Sequence, residues 1–175
     1  MKLNKIVLGV SLAFGIVSFA NAADQGNGTV TFTGSIIDAP CSIDPDTIDQ
    51  TVNLGQVSNV ALEAKGASTP KFFEIRLENC SLVKDKKNTV TATFSGGKGG
   101  TDGMLGMTGT AKGASIAVAD TSGKLIKLRE PTSAHELQTG KNTLGFSAYL
   151  QGDGASSGIV PGDFKSVANF TLAYQ

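Results

Sequence analysis

Apolar residues along most of this chain recur at every second position, and that period limits what the backbone can do. Val30, Phe32 and Ile36 alternate with Thr31, Thr33 and Ser35; Phe73, Ile75 and Leu77 with Glu74, Arg76 and Glu78; Val90, Ala92 and Phe94 with Thr91, Thr93 and Ser95. Successive side chains of a strand point to opposite faces, so this spacing predicts strands with one face buried and one wet. The pattern continues at Ile116 and Val118, over residues 125–128, at Leu144, Phe146, Ala148 and Leu150, and over residues 167–174. Gly, Ser and Asp gather over residues 95–103, 120–124 and 151–162, which are the expected connections. Many short strands punctuated in this way predict an all-β antiparallel sandwich. Only residues 60–65 suggest a helical turn or two, residues 131–137 are ambiguous, and no tandem repeat or domain linker is visible.

The first 22 residues read as an address. Lys2 and Lys5 precede an apolar run over residues 6–19 that is too short to cross a bilayer comfortably, and Ala20-Asn21-Ala22 supplies a small-x-small cleavage pattern. A secretory signal peptide over residues 1–22 is expected, with the processed chain starting at Ala23 and carrying two more acids than bases. No later segment is long and apolar enough to suggest a membrane span.

Export changes the reading of the two cysteines. In an oxidising compartment Cys41 and Cys80 predict a structural disulfide, and closing a loop of that size stabilises a fold by about 3–4 kcal/mol in the chain-entropy picture. There is no Cys-x-x-Cys, and His135, the single histidine, cannot complete a zinc site with them. No cofactor and no metal are expected.

Charge and motif content argue against most other chemistries. Fifteen basic residues balance fifteen acidic ones without clustering, whereas phosphate binding needs concentrated positive charge, so nucleic acid is not an expected partner. Gly154-Ala155-Ser156-Ser157-Gly158 fits the letters of a nucleophile elbow, but the helix that should follow is missing and His135 precedes it instead of following. Residues 95–100 lack the Gly-Lys-Ser/Thr of a phosphate loop. Asp44, Asp46 and Asp49 lack the glycine and terminal glutamate of a calcium loop and read as a solvated turn. Asn27-Gly28-Thr29, Asn79-Cys80-Ser81 and Asn169-Phe170-Thr171 match glycosylation sequons by letter, which would mean little in a bacterial export context. His135 beside Glu136 reads as an exposed loop histidine. No catalytic constellation assembles, and the chain is not expected to be an enzyme.

The ends are more informative. Residues 23–28 are polar and glycine-rich and run straight into the alternating stretch 29–37, an amphipathic strand in want of a sheet edge. At the other end Phe170, Leu172 and Tyr174 form one apolar face that reaches almost to Gln175. A sandwich closing on that strand is expected to keep an apolar groove and an unpaired edge unless a strand arrives from elsewhere.

At these residues the sequence resembles the pilins of the chaperone–usher pathway, the shaft subunits of type 1-like and P-like fimbriae of Gram-negative bacteria. The resemblance spans the whole processed chain. It rests on Val30-Thr31-Phe32-Thr33-Gly34, on Ile36-Ile37-Asp38-Ala39-Pro40-Cys41-Ser42-Ile43, on Val52-Asn53-Leu54-Gly55-Gln56-Val57, on Leu77-Glu78-Asn79-Cys80, and on Asn169-Phe170-Thr171-Leu172-Ala173-Tyr174-Gln175. Such pilins carry a glycine fourteen places from the C-terminus and a penultimate tyrosine, positions held here by Gly162 and Tyr174. The Asp-Ala-Pro-Cys-Ser-Ile wording looks closer to P-like, mannose-resistant major subunits than to type 1 ones.

What the resemblance implies is an incomplete immunoglobulin-like sandwich, a six-stranded pilin domain over residues 38–175 lacking its final strand, preceded by a donor-strand extension over residues 23–37. A periplasmic chaperone would lend the missing strand and an outer-membrane usher would exchange it for the extension of the next identical subunit, a recognised form of β-strand addition. Carried onto this chain, Val30, Phe32, Gly34 and Ile36 would face into the neighbour. Gly162, Phe170, Leu172 and Tyr174 would line the acceptor groove, and Cys41–Cys80 would be the family's disulfide. The implied product is the shaft of an adhesive surface fimbria joined to adaptor and tip subunits. Rival expectations are a minor pilin, either adaptor or terminator, and a secreted carbohydrate- or protein-binding module. A terminator should lack a usable extension, and a sugar-binding module should place aromatic platforms on loops, but the chain has no Trp and both tyrosines fall in strand-like segments.

Overall fold

The computed structural model describes residues 27–84, 87–154 and 158–175. The expected signal peptide lies outside the described residues. The chain divides into two units, Met1–Ile36 and Ile37–Gln175. In the first, residues 27–36 are exposed and form no helix or strand. The strand expected at Val30, Phe32 and Ile36 is therefore not formed within a single copy. The physical reason is simple: alternation supplies a face, but a strand also needs a ladder partner.

The second unit is built from ten strands among the described residues: β1 (Ser42–Ile43), β2 (Lys71–Cys80), β3 (Thr89–Gly96), β4 (Thr108–Gly109), β5 (Ala114–Asp120), β6 (Leu125–Ile126), β7 (His135–Glu136), β8 (Gly140–Gly152), β9 (Phe164–Lys165) and β10 (Ala168–Tyr174). Helical structure among the described residues is limited to α1 (Asn59–Leu62) and the 3-10 turns Pro45–Thr47 and Glu63–Lys65, so the helical reading of residues 60–65 holds. The five long strands are those in which the alternation runs over several residues. Five others span two residues each, and of these β6 lies in the stretch 125–128 that the apolar pattern marks. Residues 131–137 resolve as irregular chain ending in β7, where His135 is exposed but pairs with Val90 at a sheet edge instead of lying in a free loop.

One sheet has the order β1-β2-β8-β5-β6 and another β10-β3-β7, with β4 and β9 forming a separate pair; every pairing is antiparallel. In the first sheet Phe73 faces Phe146, Ile75 faces Leu144 and Val118 faces Ala148; in the second Phe94 faces Phe170 and Ala92 faces Leu172. The apolar faces meet in one core, where Ile75, Leu77, Val90 and Phe94 are almost wholly shielded from solvent. The Phe94 ring packs edge-on against Phe146 at 5.1 Å between centroids and against Phe73 at 6.3 Å, joining the two layers with the geometry that aromatic quadrupoles favour.

The connections follow local chemistry. The Asp120 carboxylate accepts the Ser122 hydroxyl and the backbone N–H groups of Ser122 and Lys124, closing the β5–β6 hairpin with Gly123 at φ +83°. The hydroxyl bond from Ser122 and the main-chain donors hold that carboxyl below the ordinary aspartate range. Cys41, next to β1, is bonded to Cys80 at the end of β2. The disulfide expected from the two cysteines is present and pins the start of the domain to its central sheet.

Candidate functional site

β10 is the end strand of its sheet. One of its edges bonds to β3, and among the described residues the other meets no strand. Its seven residues alternate exposed and half-buried, with Phe170, Leu172 and Tyr174 turned inward. A long edge with an apolar face, without a charge or proline to blunt it, is an invitation to further pairing.

Across from this edge runs the segment 51–57, which forms no strand. It is fastened at its base. Gln50 donates its side-chain amide to the carbonyls of Thr47 and Glu74, both at 2.8 Å, and Arg76 donates Nε–H to Asp44 at 2.8 Å and Nη1–H to Glu74 at 3.0 Å. The Arg76 hydrogen bond, aided by the Asp46 main-chain N–H, holds the Asp44 carboxyl below its usual range. Polar bonds at residues 44–50 thus set the wall and leave Val52, Leu54 and Val57 free to face the core, against which Leu54 and Val57 are packed.

Between this wall and the stretch 159–168 lies an open cleft of about 850 Å³, reached by Val52, Leu54, Val57, Ile159, Phe164 and Val167. Deeper in, a pocket of about 180 Å³ is floored by Phe73, Ile75, Phe94, Ile116 and Val118 and shares Val52 and Leu54 with the cleft. Ile48, Val160 and Val167 are exposed at the rim among polar neighbours such as Gln50, Asn53 and Asp163. The arrangement offers main-chain pairing along one edge and apolar sockets beneath it, which is what an added strand with alternate apolar side chains requires. Unpaired carbonyl and amide groups supply direction, and the floor supplies burial.

The structure separates the four expected acceptor residues. Gly162 lines the cleft and Phe170 the deeper pocket. Leu172 and Tyr174 lie farther along β10, opposite Ala92 and Val90, half-buried against the core and outside the lining of either cavity. Gly162 has a packing reason to be glycine: a Cβ there would run into the Thr110 hydroxyl and sit 2.7 Å from the Ala111 nitrogen, where the backbone of residues 110–111 bonds to Asp163. The Tyr174 hydroxyl is buried and has no hydrogen-bond partner among the described residues, and burial pushes its phenol above the ordinary tyrosine range. Of the four expected donor residues, Val30, Phe32 and Ile36 are exposed, and Gly34 has open space around it. The opposite wall was missed as a site, although Val52 and Leu54 carry the period-two signal. The floor residues were legible only as core.

Known proteins place this geometry in a class. A family model described as fimbrial protein matches residues 30–175. The chain is 58% identical over 176 residues to the Fimbria A protein of Serratia marcescens and 51% identical over 178 residues to the Major MR/P fimbria protein of Proteus mirabilis strain HI4320, covering 100% of both partners in each case. Among solved structures, a chain from a chaperone–usher pilus studied for the uncoiling of its rod superposes with a TM-score of 0.77 at 36% identity, covering 86% of this chain and 97% of that one. The P pilus rod subunit PapA superposes with a TM-score of 0.69 at 34% identity, covering 78% and 100% respectively. The chain belongs to the fimbrial protein family, and its antiparallel sandwich is the immunoglobulin-like pilin fold.

Proposed function

We propose that this chain is a repeating structural subunit of a surface fimbria, and that it polymerises when residues 30–36 of one copy enter the cleft beside β10 of the next. The observation that carries the reading is the unpaired edge of β10 standing over an apolar cleft and pocket. Val30, Phe32 and Ile36 are exposed and have the spacing of side chains that fill such sockets. Each gains about 1.5–3 kcal/mol on full burial, and backbone pairing adds to this. Gly34, with no side chain, would let the two backbones approach closely within the cleft. On this reading Gly162 and Phe170 border the inserted strand, and Leu172 and Tyr174 hold β10 in place.

Contact between different surfaces of identical copies does not close on itself, so it generates a filament. Before insertion the cleft needs a temporary occupant, a role that suits a periplasmic chaperone, with an outer-membrane usher as the place of exchange. The fimbrial relatives and the two solved pilus chains support export to a surface filament in which this chain forms the shaft; adaptor and tip subunits would meet that shaft at its end.

The test is removal of residues 23–36 from the processed chain. The truncated subunit is expected to be captured by the chaperone as before and to add no further subunit to a fibre. Fibres of normal length from it would overturn the donor assignment.

A further inference from the structure

We propose that Asn27–Gly28 is a spontaneous deamidation site, a chemical clock at the head of residues 29–37. Both residues are exposed and belong to no helix or strand, and the space around Gly28 is open. The step needs the Gly28 backbone nitrogen to reach the Asn27 side-chain carbonyl carbon, and the residue after the asparagine decides how easily that happens. Glycine has no Cβ to obstruct the approach and reaches the required backbone angles at least cost. Gly28 nitrogen gives up its proton and bonds to Asn27 Cγ, the Cγ–Nδ2 bond breaks, and the amide leaves as ammonia. Water then opens the resulting five-membered imide. Attack at Cγ restores a normal backbone with aspartate; attack at the main-chain carbonyl leaves the chain running through Cγ as isoaspartate. Either product gains a carboxylate, and the second lengthens the backbone by one carbon three residues before Val30.

No other described asparagine combines these conditions. Asn53 has its carboxamide oxygen engaged by the Gly55 N–H and is followed by Leu54. Asn142 is buried, bonded in both directions to Gln138 and followed by Thr143. Asn88 holds the Val83 main chain through both its oxygen and its nitrogen and precedes the β-branched Thr89. Asn59 is exposed but opens α1 and precedes the β-branched Val60, and Asn79 and Asn169 sit in β2 and β10 ahead of Cys80 and Phe170. The site belongs to the chain whether or not the extension donates a strand.

The experiment incubates purified, processed full-length chain at about pH 7 and about pH 9 and follows the peptide holding Asn27 by mass spectrometry and by isoaspartyl methyl transfer. Conversion is expected at Asn27 ahead of every other asparagine and faster at the higher pH, because the attacking nitrogen must lose a proton. Gly28→Ala should slow it about tenfold by hindering that approach, and Asn27→Asp should remove the amide-to-acid mass shift from the peptide. An unchanged Asn27 peptide while another asparagine converts, or equal rates in Gly28→Ala and the natural sequence, overturns the proposal.

Discussion

Phe94 on β3 stands opposite Phe170 on β10 in the strand register and at the same time packs its ring edge against Phe146 of the facing sheet. One side chain therefore ties the edge strand of one layer to the centre of the other, and it also floors the pocket beside that edge. The cleft is as firm as this core.

Replacing Phe94 with alanine should cost about 3–5 kcal/mol, the range for emptying a packed aromatic site. Urea denaturation of the processed chain should show the lower midpoint, and a β10 held only by its ladder should lose protection from proteolysis. A midpoint within a few tenths of a molar of the natural chain would show that the two layers do not depend on this ring.

Cys41→Ser with Cys80→Ser should lower stability by about 3–4 kcal/mol, since the bridge no longer restrains the unfolded chain. The same drop should follow addition of reductant to the natural chain and be absent from the double variant. Equal denaturation curves with and without reductant would contradict the structural role.

Tyr174 gives a pH prediction with a definite sign. Its phenol value is raised above 10.0 by burial, so the folded chain holds the proton more tightly than the unfolded one. The stabilisation is complete below the unfolded value and is lost as pH climbs through the folded one. Tyr174→Phe should flatten that alkaline decline. Near pH 7 it should leave stability unchanged or raise it by up to about 1 kcal/mol, because it removes a buried hydroxyl that no described group satisfies. Parallel denaturation series from pH 8 to 11 would decide; superimposable pH dependences would argue against it.

Gly34→Leu should slow polymerisation several-fold without changing the stability of the free subunit, since a Cβ at Gly34 meets no atom of the described residues within 4 Å and the added side chain would overfill the receiving cleft. Fibre growth followed by light scattering measures this, and unchanged kinetics would remove Gly34 from the insertion.

The sandwich was legible because β2, β3, β8 and β10 are long enough for period two to stand out, whereas β5 is buried on both faces and showed its period only at Ile116 and Val118. Of the two-residue strands, β6 fell inside the stretch 125–128 that the pattern marked, but others did not show: Ser42–Ile43 and Phe164–Lys165 owe their pairing to where the disulfide and the backbone of residues 108–111 bring them. The cleft was half legible. Phe170 and Gly162 could be named from the C-terminal pattern, but a sequence does not distinguish the end of a strand that borders a cavity from the end half-buried against the core, where Leu172 and Tyr174 lie. The opposing wall depends on Gln50 and Arg76 anchoring it across more than twenty residues, a relationship that no local pattern encodes. The stretch 29–37 showed its amphipathic face plainly and yet pairs with no strand among the described residues.

Hydrogen–deuterium exchange of residues 29–37, measured on intact fibres and on free processed subunit, tests insertion most directly. Strand addition predicts fast exchange in the free subunit and protection in the fibre comparable to that of β3 and β8. Fast exchange of the same amides in intact fibres would mean that the cleft is filled by something else.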